Sequence, residues 1–302
     1  MSNSVLYATT VLIWGTTWLG ITFQLGVVPP ELSVAYRFTL AGALLVLFCL
    51  ARGRRLAFGW RDQAAIVLFG ASMFCVNYIL FYVAAGYVTS GLLAVVFSTL
   101  LWMNVLNGAL FLSIPVSGRV LAGGVLGLAG MALLFWPELE GLAQSSGSAL
   151  GMAVGLVATY IGSLGNILSA RNQKRGLPVL ESNALGTLYG GLLSAAVAWA
   201  HGAPFTFDLS PAYVASLLYL ALFGTIVAFG CYFTLLGRIG ADRSAYAMVL
   251  FPVVALALST AFEGYRWTAP AVAGVVLILA GNAVALRRAR PALAPDRAAS
   301  PS

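Results

Sequence analysis

One arginine stands inside an apolar run. Arg37, between Tyr36 and Phe38, sits about five residues in from the nearer end of its run, roughly 7 Å deep at helical rise. A charge so placed either meets an anion, such as a carboxylate on a bound solute, or snorkels outward or pairs with an acid such as Glu263 or Glu31. Polar and aromatic residues recur in other runs at helical spacing. Thr10, Trp14, Thr17 and Ile21 share one face at spacings of four, three and four. Phe74, Tyr78 and Tyr82 stack with Asn77 beside them, Ser98 precedes Trp102 by four, and Thr159, Ser163 and Asn166 align; Ser244 and Tyr246 open a later run. In hydrocarbon, Asn77 and Asn166 require partners or a wet cavity.

Together these residues suit a neutral cavity with aromatic walls and a few hydrogen-bonding groups, fit for small organic solutes. The candidate substrate-binding residues are Trp14, Thr17, Asn77, Tyr78, Tyr82, Ser98, Trp102, Ser163, Asn166 and Tyr246, with Arg37 as an anion contact or a structural charge. The plainer reading is helix–helix hydrogen bonding for the asparagines and interfacial belts for Trp and Tyr. Belts suit Trp136, Trp199, Tyr213 and Trp267, near run ends, and suit the mid-run Trp14, Tyr78, Trp102 and Tyr160 poorly. Pro252 interrupts a run where it withdraws a helical donor, which makes it a candidate hinge.

Other chemistry is missing. The single lysine, Lys174, follows Gln173 and belongs to no phosphate-binding loop. His201 and the dispersed Cys49, Cys75 and Cys231 form no metal set; no cofactor is implied and no nucleophile–base pair suggests an enzyme. The formal charge of +7 is spread over the breaks between runs and does not form a nucleic-acid face. No Asp or Glu falls inside a run, which disfavours obligatory proton coupling and leaves movement down the solute's own gradient.

The elements that position these residues are ten apolar spans, at about 4–25, 32–51, 63–86, 89–112, 118–136, 149–170, 182–201, 210–236, 244–262 and 268–287. Each is long enough in helix to cross a bilayer core of about 30 Å. The first span lacks a basic leader and a cleavage site, so it reads as a retained helix. Sliding the chain by 151 residues, half of 302, brings Gly123 onto Gly274, Gly130 onto Gly281 and Tyr82 onto Phe233; earlier the step is 149, where Gly42 meets Gly191. Duplication follows, with five spans per copy, an odd number that inverts the second copy. Basic residues alternate accordingly: 14 of the 16 fall on one side, which the positive-inside rule makes cytoplasmic, with both termini. The fold class expected is all-α integral membrane, ten transmembrane helices in two inverted five-helix repeats around a central cavity. The units are residues 1–143, 144–288 and a disordered cytoplasmic tail, 289–302.

Trp14-Gly15, Tyr36-Arg37-Phe38, Phe81-Tyr82 and Ala85, Gly123 to Gly130, then Gly237-Arg238-Ile239-Gly240-Ala241, Ser244-Ala245, Phe251-Pro252, Glu263 and Gly274 to Gly281 form an ordered set. Over residues 5–288 it resembles the drug/metabolite transporter superfamily, in its ten-helix branch of metabolite exporters. Leu101 and Leu112 stand in the first half where the second has Pro252 and Glu263. The aromatic stripes and the lack of buried basic clusters look most like the bacterial amino acid exporters, including those for aromatic amino acids. The resemblance implies a multi-pass protein of the bacterial inner membrane, monomer-capable, that exports small metabolites by alternating access. Within transport the alternative is an exporter of hydrophobic drugs or quaternary ammonium compounds, acting through cation–π contact. Outside transport it is a membrane enzyme or lipid-handling scaffold.

Overall fold

The structure is a computed structural model and describes residues 1–116, 118–140, 146–239 and 247–286. Among the described residues there are ten helices and no strand: α1 Asn3–Thr22, α2 Pro30–Ala51, α3 Trp60–Ala85, α4 Ser90–Leu112, α5 Gly118–Glu140, α6 Ser146–Lys174 and α7 Val179–Ala200, then α8, built from Pro211–Leu218, Tyr219–Val227 and Ala228–Ile239, then α9 Ala247–Phe262 and α10 Ala269–Leu286. Every expected span lies on one helix, and ends differ by at most four residues, as where α6 runs on to Lys174.

Local signals explain the boundaries. Ser2 accepts a hydrogen bond from the Val5 amide ahead of α1, and Ser210 does the same for Tyr213 ahead of α8. Pro30 and Pro211 open their helices, where no amide donor is needed. Gly53 and Gly202 follow α2 and α7 with φ of 65° and 68°, a conformation L side chains resist. In both turns the residue after the glycine donates back into the helix, Arg54 to Cys49 and Ala203 to Ala198. Those two terminators stand 149 residues apart.

Three irregularities were not legible beforehand. A π-helical stretch, Ala71–Val76, interrupts α3, and a second, Tyr219–Val227, interrupts α8, the repeat counterpart of α3. The third lies in α4, which breaks at Thr99. There the Ser98 and Thr99 hydroxyls bond back to the Val95 and Val96 carbonyls, and Asn282 Nδ2 donates to the freed Ser98 carbonyl.

Close pairing of α2 with α7 and of α5 with α10 ties the two halves together. On α5, a Cβ at Gly123 would lie 2.5 Å from the Gly281 carbonyl oxygen, and one at Gly130 would lie 2.6 Å from that of Gly274. Since Gly123 corresponds to Gly274 and Gly130 to Gly281, these are one contact seen twice. Likewise Gly42 meets Leu188 and Gly191 meets Thr39 across α2 and α7. Along both pairs the numbers rise on one helix as they fall on the other, so equivalent helices run antiparallel about a two-fold, the arrangement of inverted repeats. Backbones this close need glycine at the crossing.

The outer circumference is apolar. Leu12, Leu47, Leu121, Leu128, Val157, Leu192 and Val276 are exposed, and six helices (α1, α2, α3, α4, α6 and α8) are long and apolar enough to cross a membrane by length and composition. Trp136, Trp199 and Trp267 are exposed near helix ends, as a belt requires, and Tyr160 is 41% exposed on α6. Tyr213 departs from the belt: it is 2% exposed, and its hydroxyl pairs with that of Ser33 at 3.0 Å.

Candidate functional site

A cavity of about 360 Å³ lies between the halves, lined from α1, α2, α3, α4, α6, α7, α8 and α9. One end reaches Ser169, Gln173 and Asn183, where Gln173 is exposed one residue before α6 ends. Lys174, Arg175, Arg61 and Arg54 belong to this end, which two ion pairs lace together: Arg175–Asp62 at 2.7 Å and Arg54–Glu181 at 3.2 Å. The other end stops beneath Ile21, Arg37 and Phe81. Beyond it Tyr82 donates to Gln24 Oε1 at 2.6 Å, with both residues 1% exposed, so this end is shut by packed side chains.

Arg37 faces the shut end. It is 2% exposed, and its guanidinium carbon stands 4.9 Å from the ring centres of both Phe38 and Tyr78. Nε and Nη1 have no hydrogen-bond partner, while the side chain interacts with the Tyr82 hydroxyl by charge and by hydrogen bonding. Gly224, in the π-helical stretch of α8, lies beside it and makes room for Thr17, whose Cγ2 would stand 2.7 Å from a Cβ there. Neither acid proposed from sequence pairs with it. Glu263 accepts from the Ser90 amide and hydroxyl at the start of α4, and Glu31 lies 3.7 Å from His201.

Aromatic rings form the walls. Trp14 packs 5.3 Å from Phe229 and 5.1 Å from Tyr232; Trp18 packs against Phe81 and Phe97 at 5.1 and 5.4 Å. Polar groups are few. Asn77 Nδ2 donates to the Ala158 carbonyl at 2.6 Å, close against Gly162, and Asn166 donates to Asn104 Oδ1 at 3.2 Å. No Asp or Glu is among the lining residues described.

Of the residues picked out from sequence, Trp14, Thr17, Arg37, Asn77, Tyr78 and Asn166 line this one cavity. Four others lie apart from it. Tyr82 is buried behind Arg37 on Gln24; Ser98 bonds its own helix; Ser163 accepts from Asn107 Nδ2 at 2.8 Å between α4 and α6. Trp102 is 6% exposed among Leu92, Val96, Met131, Leu134 and Ile278, with its indole lying on Gly127 of α5. The face of α4 that lines the cavity is that of Phe97, Leu101 and Asn104, and Ser98 and Trp102 lie one residue round from it, towards α10. Pro252 is buried inside α9, which continues through it next to Phe251 of the cavity wall. Tyr246 lies outside the described residues, as do the boundary at 143/144 and the tail 289–302.

Trp18, Phe97, Asn104, Phe229, Tyr232 and Phe251 line the cavity and were not among the binding residues expected from sequence. For two of them the repeat held the signal: the 151-residue step carries Tyr78 to Phe229 and Phe81 to Tyr232.

The model of the EamA-like transporter family matches the chain twice, over residues 2–136 and 149–287, one match per half. The chain belongs to this family. Relatives of similar length agree. PagO of Salmonella typhimurium is 26% identical, over 92% of this chain and 93% of its own. The inner membrane transporter YedA of Escherichia coli is 30% identical, over 94% and 92%. A Salmonella typhimurium protein named "Probable amino-acid metabolite efflux pump" is 31% identical, over 90% of each chain. A crystal structure 22% identical superposes with a TM-score of 0.66, over 94% of this chain and 96% of that one, which shows the common fold. This protein is thus a multi-pass membrane transporter of the drug/metabolite superfamily.

Proposed function

We propose that this member of the EamA-like family exports small amphipathic metabolites of the amino acid class, aromatic ones included, across the bacterial inner membrane by alternating access. One observation carries the reading: a cavity between inverted halves is open at the basic end and shut at the other, with a buried Arg37 at its floor whose Nε and Nη1 have no partner. By the positive-inside rule the open end is cytoplasmic, so the cavity takes solute from inside. The guanidinium receives a carboxylate through its free Nε and Nη1, since paired N–H groups suit two carboxylate oxygens. Trp14, Tyr78, Phe229 and Tyr232 offer ring surface to the side chain, and Asn77, Asn104 and Asn166 offer carboxamides. Release requires the packing of Tyr82, Gln24 and Phe38 to part while the basic end closes.

The test is counterflow in proteoliposomes with a panel of labelled amino acids and their derivatives. Asn166→Leu lowers flux of every accepted solute, whereas Trp14→Ala lowers flux of aromatic solutes more than that of alanine. A panel with no solute moved above protein-free vesicles refutes the reading.

A further inference from the structure

We infer that the preferred cargo carries one net negative charge, a carboxylate without a free ammonium, and that its export is driven by the membrane potential. This rests on the proposed function and narrows it. Among the described residues the cavity lining holds one fixed charge, and a guanidinium stays protonated at any physiological pH. The acids whose side chains are described are engaged elsewhere: Glu31 near His201, Asp62 with Arg175, Glu181 with Arg54, Asp208 with the Ser210 amide and hydroxyl, and Glu263 with Ser90. A monoanion therefore neutralises the site.

A zwitterionic amino acid brings the same carboxylate together with an ammonium for which the described lining holds no anion. That ammonium loses its water and gains carboxamide oxygens and ring faces, which offset only part of the loss. The two rings nearest Arg37, Phe38 and Tyr78, already face the guanidinium. Asn104 Oδ1 accepts from Asn166, so one carboxamide oxygen is also committed. Acylating, oxidising or deleting the α-amino group removes the unsatisfied charge and leaves every contact of the carboxylate and side chain. A bare cation meets only repulsion from Arg37.

The coupling follows from the same inventory. Among the described lining residues no titratable carboxylate faces the cargo to carry a proton with it, so the charge of the anion crosses uncompensated. A potential negative inside then drives it outward, and for one charge 100 mV corresponds to a concentration ratio of about fifty-fold.

Three probes sharing one ring isolate the two charges: 3-phenylpropionate, L-phenylalanine and phenethylamine. Binding to the purified protein is read from tryptophan fluorescence, since Trp14 and Trp18 line the cavity. Movement is read as flux and as current in proteoliposomes, against protein-free vesicles, with potassium and valinomycin setting the potential. Expected are binding of 3-phenylpropionate at least ten-fold tighter than phenylalanine, no competition by phenethylamine, and 3-phenylpropionate efflux that accelerates when its compartment is made negative. Phenylalanine efflux stays indifferent to the potential. Arg37→Lys keeps the order of preference, and Arg37→Gln abolishes the advantage of the anion. Should Arg37→Gln fail to yield a monodisperse protein, the wild-type measurements decide alone. Phenylalanine bound as tightly as 3-phenylpropionate, or anion efflux unmoved by voltage, overturns the inference and leaves amino acid export standing. Absence of binding and flux for all three probes, with the wider panel also inert, removes both.

Discussion

Gly127 and Trp102 form a pair whose energetics can be worked out in advance. A Cβ at Gly127 would lie 1.2 Å from Cη2 of the indole, and the neighbours Met131, Leu134 and Ile278 close the pocket around it. Gly127→Ala must push the ring aside. Overpacking of this kind costs about 1–3 kcal/mol, against which the better helix propensity of alanine returns about 1. The net effect in the parent is destabilising, by up to about 2 kcal/mol. Trp102→Ala alone empties the pocket and costs about 3–5 kcal/mol. In that background the sign reverses: the methyl at 127 meets free space, and Gly127→Ala stabilises by up to about 1 kcal/mol. A double-mutant cycle in mixed SDS–detergent micelles, read as unfolding free energy, measures this coupling. Flux per folded molecule in liposomes should stay near that of the parent, because Trp102 does not face the cavity. Additive costs with no change of sign would refute the geometry. A Trp102→Ala protein as stable as the parent that has lost transport would return the indole to the cargo path.

A methyl group at Gly130 strikes the Gly274 carbonyl, whereas one at Gly124 meets open space; Gly130→Ala should lower the detergent melting temperature and Gly124→Ala should not. Tyr82→Phe strands Gln24 Oε1 beside an Nε2 that already has no partner, behind the shut end of the cavity, and should cost about 1–3 kcal/mol in the same unfolding assay. Glu263→Gln weakens the charge-assisted bonds to Ser90 at the start of α4, at a cost of about 1–2 kcal/mol. Cysteine-accessibility labelling should modify position 139 from outside the cell and position 174 from inside; the reverse pattern would overturn the orientation drawn from basic residues.

The spans and the repeat were legible because a bilayer filters sequence coarsely: runs of about twenty apolar residues with charge confined to the breaks leave little choice of element. Spacing within a run placed Trp14, Thr17, Tyr78, Asn77 and Asn166 on one surface, because α1, the second half of α3 and α6 are regular where those residues sit. It misplaced Ser98 and Trp102 relative to the cavity because the lining face of α4 is the adjacent one, that of Phe97, Leu101 and Asn104, and spacing fixes which residues share a face but not which face turns to the cavity. Tyr82 and Ser163 share the correct helices but point into hydrogen bonds with Gln24 and Asn107, partners 58 and 56 residues away that spacing does not reveal. The π-helical stretches left no mark, since Ala71–Val76 and Tyr219–Val227 read as ordinary apolar helix. Arg37 was conspicuous from the outset, but its lack of an acidic partner is a fact of three dimensions.

The two-fold that relates Gly42 to Gly191 carries Arg37, 149 residues on, to Gly186, where the space for a side chain is filled by the ring of Phe69. The halves agree in their crossings and in many of their rings, and disagree in their charge. A dimer of two identical five-helix chains would have to aim two copies of Arg37 into the same cavity, where like charges away from water repel. It would also have to insert the same sequence in both orientations. A gene that encodes both halves in tandem is released from each demand. Once joined, one half could keep its arginine while the other packed a phenyl ring in its place, and a symmetric shell could come to hold a polar, one-ended receptor. The asymmetry of this site is thus open to a single chain and closed to its homodimeric equivalent.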